Sequence, residues 1–110
     1  MPMNPVYTPV DGFGYSLAPG GDLLFPIAAG ATGAQMIKPS PGRLGRIVLA
    51  AANGAAAITV YDNASAASGT VIGVIAASAA AGVYDFQMPA RTGITLSGAA
   101  TNPAMTVGYV

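Results

Sequence analysis

Few side chains in this 110-residue chain could carry out acid–base or nucleophilic chemistry. Its four acidic residues are all Asp, and it contains no Glu, His, Cys or Trp. Imidazole and thiol catalysis are therefore excluded, together with disulfides and with metal sites built from those groups. The Ser residues have no His or Glu to activate them, and a Ser–Lys pair would depend on the single Lys38. We expect no enzymatic activity and no cofactor.

Asp62 and Asp85 form the one acidic pair that neighbouring predicted strands could bring together. Paired carboxylates can perform acid–base chemistry or bind Ca²⁺. Neither Asp has a companion Glu or lies in a loop with the spacing of calcium ligands. The sequence therefore favours solvated aspartates at strand ends, or partners for an Arg, over a catalytic or metal site.

Two Arg residues follow the Pro39-Ser40-Pro41 turn. They are Arg43 and Arg46, and each is preceded by Gly. Two Arg residues can bind a phosphate, but this segment has no Walker pattern and no helix N-terminus. We expect Arg43 and Arg46 to be interface charges that pair with acidic groups on a partner surface. A formal net charge of zero argues against a nucleic-acid partner.

The elements that would position these residues are short strands. Apolar runs separated by turn residues occur at residues 23–28, 35–38, 44–51, 57–62, 70–76, 83–88, 92–97 and 105–110. About eight such runs predict an all-β fold, a single jelly-roll-like β-sandwich over residues 23–110. Within it, Asn53-Gly54 predicts a type I′ hairpin between the third and fourth strands, with Ile58 and Val60 on one face of the fourth strand and Thr59 and Tyr61 on the other.

Residues 1–22 have a different character from the rest of the chain. Four Pro and a Gly-Gly pair exclude a helix or a long strand, so we expect an extended N-terminal arm. The arm carries isolated apolar residues that can anchor it to another surface: Val6, Tyr7, Val10, Phe13 and Tyr15. It must lie on its own domain, lie on a neighbouring subunit, or remain mobile.

The low charge of the chain bears on its oligomeric state. Only 7% of the residues are charged, against roughly 25% in an ordinary soluble domain. A domain this small is marginal alone and usually needs disulfides, a metal or oligomerisation. Because Cys and the usual metal ligands are missing, we expect oligomerisation.

The uncharged stretch between Asp62 and Asp85 is long enough to cross a bilayer as a helix. However, its first residues are small and polar, and no Lys or Arg flanks it to set an orientation. We therefore expect no membrane partner, and a membrane-inserted protein is the weakest of the alternatives.

Four segments resemble small structural proteins of tailed-bacteriophage virions, especially capsid decoration (cement) proteins. They are residues 42–48 (GRLGRIV), 58–70 (ITVYDNASAASGT), 93–97 (GITLS) and 102–109 (NPAMTVGY). The resemblance implies a β-sandwich, a homotrimer, and binding to the major capsid protein on the outer surface of a virion assembled in the host cytoplasm. It implies no catalytic residues, and it implies that the N-terminal arm contributes to capsid attachment.

A second function remains open, namely a host-recognition or carbohydrate-binding module of a phage tail or head fibre. Exposed rings at Tyr61 or Tyr84 could stack on sugars. The shortage of polar side chains that would bind sugar hydroxyls argues against this function.

Overall fold

The computed structural model describes residues 23–110, which fold into one antiparallel β-sandwich. Over this range the strands are β1 (Leu23–Ile27), β2 (Gly33–Lys38), β3 (Gly42–Leu49), β4 (Ile58–Asp62), β5 (Thr70–Ile75), β6 (Gly82–Ala90), β7 (Ile94–Gly98) and β8 (Met105–Tyr109). The prediction of an all-β fold with about eight short strands is confirmed. The five arm anchors predicted from the sequence lie outside the described residues.

The strands form two four-stranded sheets, which we call the first sheet (β1-β8-β3-β6) and the second sheet (β2-β7-β4-β5). Only the β4–β5 connection joins two strands of the same sheet, and every other connection in the described chain crosses between the sheets. This strand order is that of an eight-stranded jelly roll. The turns therefore gather at the two ends of the sandwich.

The core lies between the sheets and is built from β-branched and Leu side chains at alternate strand positions. The first sheet contributes Leu44, Ile47 and Val107, all fully buried. The second sheet contributes Ile58, Val60, Ile94 and Leu96, which are also fully buried. The expectation that Ile58 and Val60 share one face of their strand is thus confirmed, and this face is the buried one.

The predicted hairpin at Asn53-Gly54 is wrong, because β3 and β4 belong to different sheets. Asn53 is instead buried, with 5% of its surface exposed. A Cβ atom at Gly54 would lie 2.4 Å from the carbonyl oxygen of Thr101. The glycine is therefore required by the close approach of the loop that joins β7 to β8.

A bulge at Gly45 changes which face of β3 is buried. The register of β3 shifts between Leu44 and Arg46 against both neighbouring strands. Leu44 therefore points into the core, whereas Arg46, two positions later, lies on the outer face next to Asp85. Bulges of this kind re-aim the side chains that follow them.

The uncharged stretch between Asp62 and Asp85 contains a loop, β5, a second loop and the beginning of β6. Val71 and Val74 of this stretch are exposed, whereas Ile72 and Ile75 are buried, so β5 has one face in the core and one on the surface. Among residues 23–110, no helix is long and apolar enough to cross a membrane.

Candidate interaction surfaces

Arg43 and Arg46, the two predicted interface charges, have different surroundings. Arg43 is exposed near the start of β3, and its backbone N–H and C=O both form 3.0 Å hydrogen bonds with Val110. Arg46 has an acidic partner in its own chain, because its Nε lies 2.9 Å from Oδ1 of Asp85. A pairing of either Arg across an interface stays a prediction.

The Arg46–Asp85 contact is an ion pair at the surface. The two side chains are 36% and 57% exposed, and the Nε–H of Arg46 is not aligned on a hydrogen-bond acceptor. Ion pairs in this setting contribute about 0–1 kcal/mol to stability. The main effect of the contact is that two opposite charges on the outer face of the first sheet neutralise each other.

Asp62 and Asp85 do not form a pair, because Asp62 ends β4 in the second sheet and Asp85 lies in the first, where it pairs with Arg46. Oδ1 of Asp62 accepts hydrogen bonds from the backbone N–H of Thr92 at 2.8 Å, from the Thr92 hydroxyl at 3.0 Å and from the Gly93 N–H at 3.4 Å. The backbone hydrogen bonds, first from Thr92 and then from Arg91, lower the pKa of Asp62 to about 2. Asp62 therefore fixes the turn between β6 and β7.

Three cationic residues lie at this same end of the sandwich, and we call Lys38, Arg43 and Arg91 the basic cluster. Gly42 pairs with Ala90 across the antiparallel strands β3 and β6, so Arg43 and Arg91 lie on opposite sides of that pair, each one position away from it. A Cβ atom at Gly42 would lie 2.8 Å from Nζ of Lys38, so the ammonium group lies over the start of β3. The topology thus brings together two cations that flank the β2–β3 turn and one from the β6–β7 turn.

The opposite end of the sandwich is uncharged, and we call it the alanine-rich end. It is formed by the loops at residues 28–32, 50–57, 76–81 and 99–104, which contain no charged residue and are largely Ala. Two buried amides connect these loops: Asn102 Nδ2 donates to Asn53 Oδ1 at 2.9 Å and to the Ala56 carbonyl at 3.0 Å. Asn53 Nδ2 in turn donates to the Ala76 carbonyl at 2.9 Å.

The outer face of the first sheet carries a set of residues that we call the apolar row. The strand register places Pro26, Thr106, Val48 and Val83 next to one another across all four strands. Val48 is 40% exposed and Val83 is 55% exposed. A shallow groove beside the row is lined mainly by Pro26, Ala28, Val48, Ala50, Ala104 and Thr106.

The two Tyr rings considered for sugar stacking are both half-buried. The ring of Tyr84 packs against the core, and its hydroxyl donates a 2.5 Å hydrogen bond to the Ala80 carbonyl. Tyr61 lies on the outer face of the second sheet, next to Val71 in the strand register. Tyr84 is therefore a structural side chain rather than a free platform.

Sequence reasoning missed two features of these surfaces, the buried Asn53–Asn102 pair and the convergence of Lys38 and Arg91 on Arg43. The position of Asn102 before Pro103 is a turn signal, but such a signal does not name a partner. No family model, curated protein or solved structure matches this chain.

Proposed function

We propose that this chain is a non-enzymatic structural protein of a bacteriophage virion. It binds the outside of the capsid as a homotrimer and stabilises the lattice of the major capsid protein. The observation that carries the proposal is the apolar row, which crosses the whole outer face of the first sheet. Exposed apolar patches of this kind are typical of protein interfaces.

The charges beside the apolar row are compatible with its burial. The neighbouring row of the first sheet contains Leu24, Gly108, Arg46 and Asp85. Leu24 is 71% exposed, and the two charged residues pair with each other. Covering this face with a second copy of the chain therefore removes apolar area from water without isolating an unpaired charge.

In this proposal the two parts of the chain have separate roles. The apolar row packs against another copy, and the arm at residues 1–22 attaches the trimer to the capsid. Each buried Å² of apolar surface contributes about 25 cal/mol, and several arms per trimer raise the avidity for a repeating lattice. A clamp that spans joints between capsid subunits resists the pressure of packaged DNA.

The test uses particles of the phage that carries this gene. Gold-labelled antibodies against residues 23–110 should decorate the outside of the capsid, and particles that lack the protein should release their DNA at a lower temperature. Absence of the chain from purified particles would contradict the proposal. Labelling confined to the tail, together with binding on a glycan array, would support the host-recognition alternative instead.

A further inference from the structure

The basic cluster places three positive charges at one end of a protein whose formal net charge is zero, and the carboxylate of Asp62 at the same end offsets one of them. Of the carboxylates in the described part of the chain, Asp85 pairs with Arg46, and Asp62 accepts hydrogen bonds from the β6–β7 turn. The one salt bridge among residues 23–110 is Arg46–Asp85. Lys38, Arg43 and Arg91 therefore have no acidic partner within this range.

The three cations are close enough to act on one ligand. Consecutive Cα atoms are about 3.8 Å apart and paired strands are about 5 Å apart, so the backbones of Arg43 and Arg91 both lie within about 10 Å of Gly42. That distance is close to the Debye length of about 10 Å at 0.1 M ionic strength. Like charges at this spacing repel one another, and an anionic surface placed against them removes the repulsion.

We infer that the basic cluster binds carboxylate groups on an acidic surface of another protein. Under the proposed function, on which this last step rests, that surface belongs to the capsid. Arg43 and Arg91 are exposed and can each hold a carboxylate with two parallel hydrogen bonds. Lys38, which is half-buried over Gly42, adds a fixed point charge behind them.

The size of the cluster favours carboxylates over nucleic acid. Duplex DNA presents one charge per roughly 1.7 Å, and its binding proteins commonly neutralise about 6–10 phosphates. The cluster offers three cations and contains no aromatic ring for stacking on bases. A local group of carboxylates matches its charge and extent better than a long polyanion.

The first experiment measures binding of the full chain to immobilised polyglutamate and to duplex DNA at several ionic strengths. The variants Lys38→Gln, Arg43→Gln and Arg91→Gln each remove one positive charge from the cluster. Arg46→Gln is the matched control, because it removes the same charge from the face of the first sheet. Thermal unfolding of each variant confirms that it is folded.

Each cluster variant should weaken polyglutamate binding by about threefold or more, as expected for one exposed charge pair, and the triple variant should lose it. The control should bind like the original chain, and binding should weaken with added salt. Polyglutamate binding that survives in the triple variant overturns the inference. The inference is also overturned if the original chain binds duplex DNA more tightly than polyglutamate at the same ionic strength and the triple variant loses that DNA binding.

The second experiment compares the original chain and the triple variant on phage particles. If both decorate particles equally, the inference fails and the proposed function stands. If neither is found on particles but only the original chain binds polyglutamate, the proposed function fails and the chemistry assigned to the cluster stands. Decoration by the original chain alone supports both.

Discussion

Asn102 and Asn53 are 49 positions apart in the chain, yet the side-chain amide of Asn102 donates a 2.9 Å hydrogen bond to Oδ1 of Asn53. Both residues are at least 95% buried. Oδ1 of Asn102 also accepts from the backbone N–H of Ala99 at 2.7 Å. Because buried polar groups are costly when they have no partner, this pair determines how the loops of the alanine-rich end fit together.

Replacing Asn102 should therefore destabilise the fold strongly. Asn102→Ala leaves the Ala99 N–H without its acceptor and Asn53 Oδ1 without one of its donors, and each buried orphan costs about 1–3 kcal/mol. We expect a loss of about 2–4 kcal/mol in the free energy of unfolding, measured by urea denaturation with circular dichroism.

The matched control for that variant is Asn63→Ala. Oδ1 of Asn63 accepts from the N–H groups of Ser65 and Ala66 at 2.9 and 3.0 Å, but both bonds are exposed. Water can replace them, so we expect a loss of about 1 kcal/mol or less. Equal losses for the two variants would contradict a special role for the buried pair.

Asp62 should make stability depend on pH in the acid range. Its folded-state pKa of about 2 lies below the ordinary value of 3.8. Above about pH 5 the carboxylate is ionised in both states and its contribution to stability is fully present. As the pH falls from about 5 towards 2, the unfolded chain binds the proton first, so this contribution is lost.

Asp62→Asn should remove the dependence on pH in that window, as measured by urea midpoints at each pH. At neutral pH the variant should be less stable by about 1 kcal/mol, because neutral hydrogen bonds at a partly solvated site replace charge-assisted ones. Asp85→Asn is the control for loss of a surface charge. An unchanged acid transition in Asp62→Asn would show that other carboxylates cause it.

Gly73 of β5 provides the space in which two core side chains meet. A Cβ atom there would lie 3.0 Å from Cδ1 of Phe86 and 3.1 Å from Cδ2 of Leu44. Phe86 is only partly buried and can shift, whereas Leu44 is fully buried. Gly73→Val should therefore overpack the core and cost about 1–3 kcal/mol, with Gly73→Ala costing less.

The control on the same strand is Val74→Ile, whose side chain is 52% exposed. Exposed substitutions of this kind change stability by about 0.5 kcal/mol or less. The comparison uses thermal and urea unfolding of all three variants. A Gly73→Val variant as stable as Val74→Ile would mean that the two sheets separate locally at no measurable cost.

The alternation of apolar residues was enough to predict the strands and the shared face of Ile58 and Val60. It could not assign strands to sheets, because a local signal such as Asn53-Gly54 indicates a turn but not the loop that packs on it. Nor could it predict that Arg46 lies on the outer face of β3, because the bulge at Gly45 interrupts the two-residue period on which such predictions rest.

The basic cluster illustrates the same limit for sites. Arg43 follows one turn, Lys38 precedes it and Arg91 lies about fifty positions later. The pairing of Gly42 with Ala90 and that of Lys38 with Ile94 bring Arg91 near the other two. Charge spacing along the chain predicts a shared site only within one element, and this site spans three.

The apolar row gives the sharpest test of how copies of the chain associate. Val48→Lys combined with Val83→Lys places two like charges on the outer face of the first sheet, where a second copy would have to bury them unpaired. Because an isolated buried charge costs several kcal/mol, light scattering should show a monomer. Val71→Lys combined with Val74→Lys is the control, since these two side chains are 46% and 52% exposed on the second sheet. The control should keep the oligomeric state of the original chain. If only the control pair dissociated the oligomer, the interface would lie on the second sheet instead.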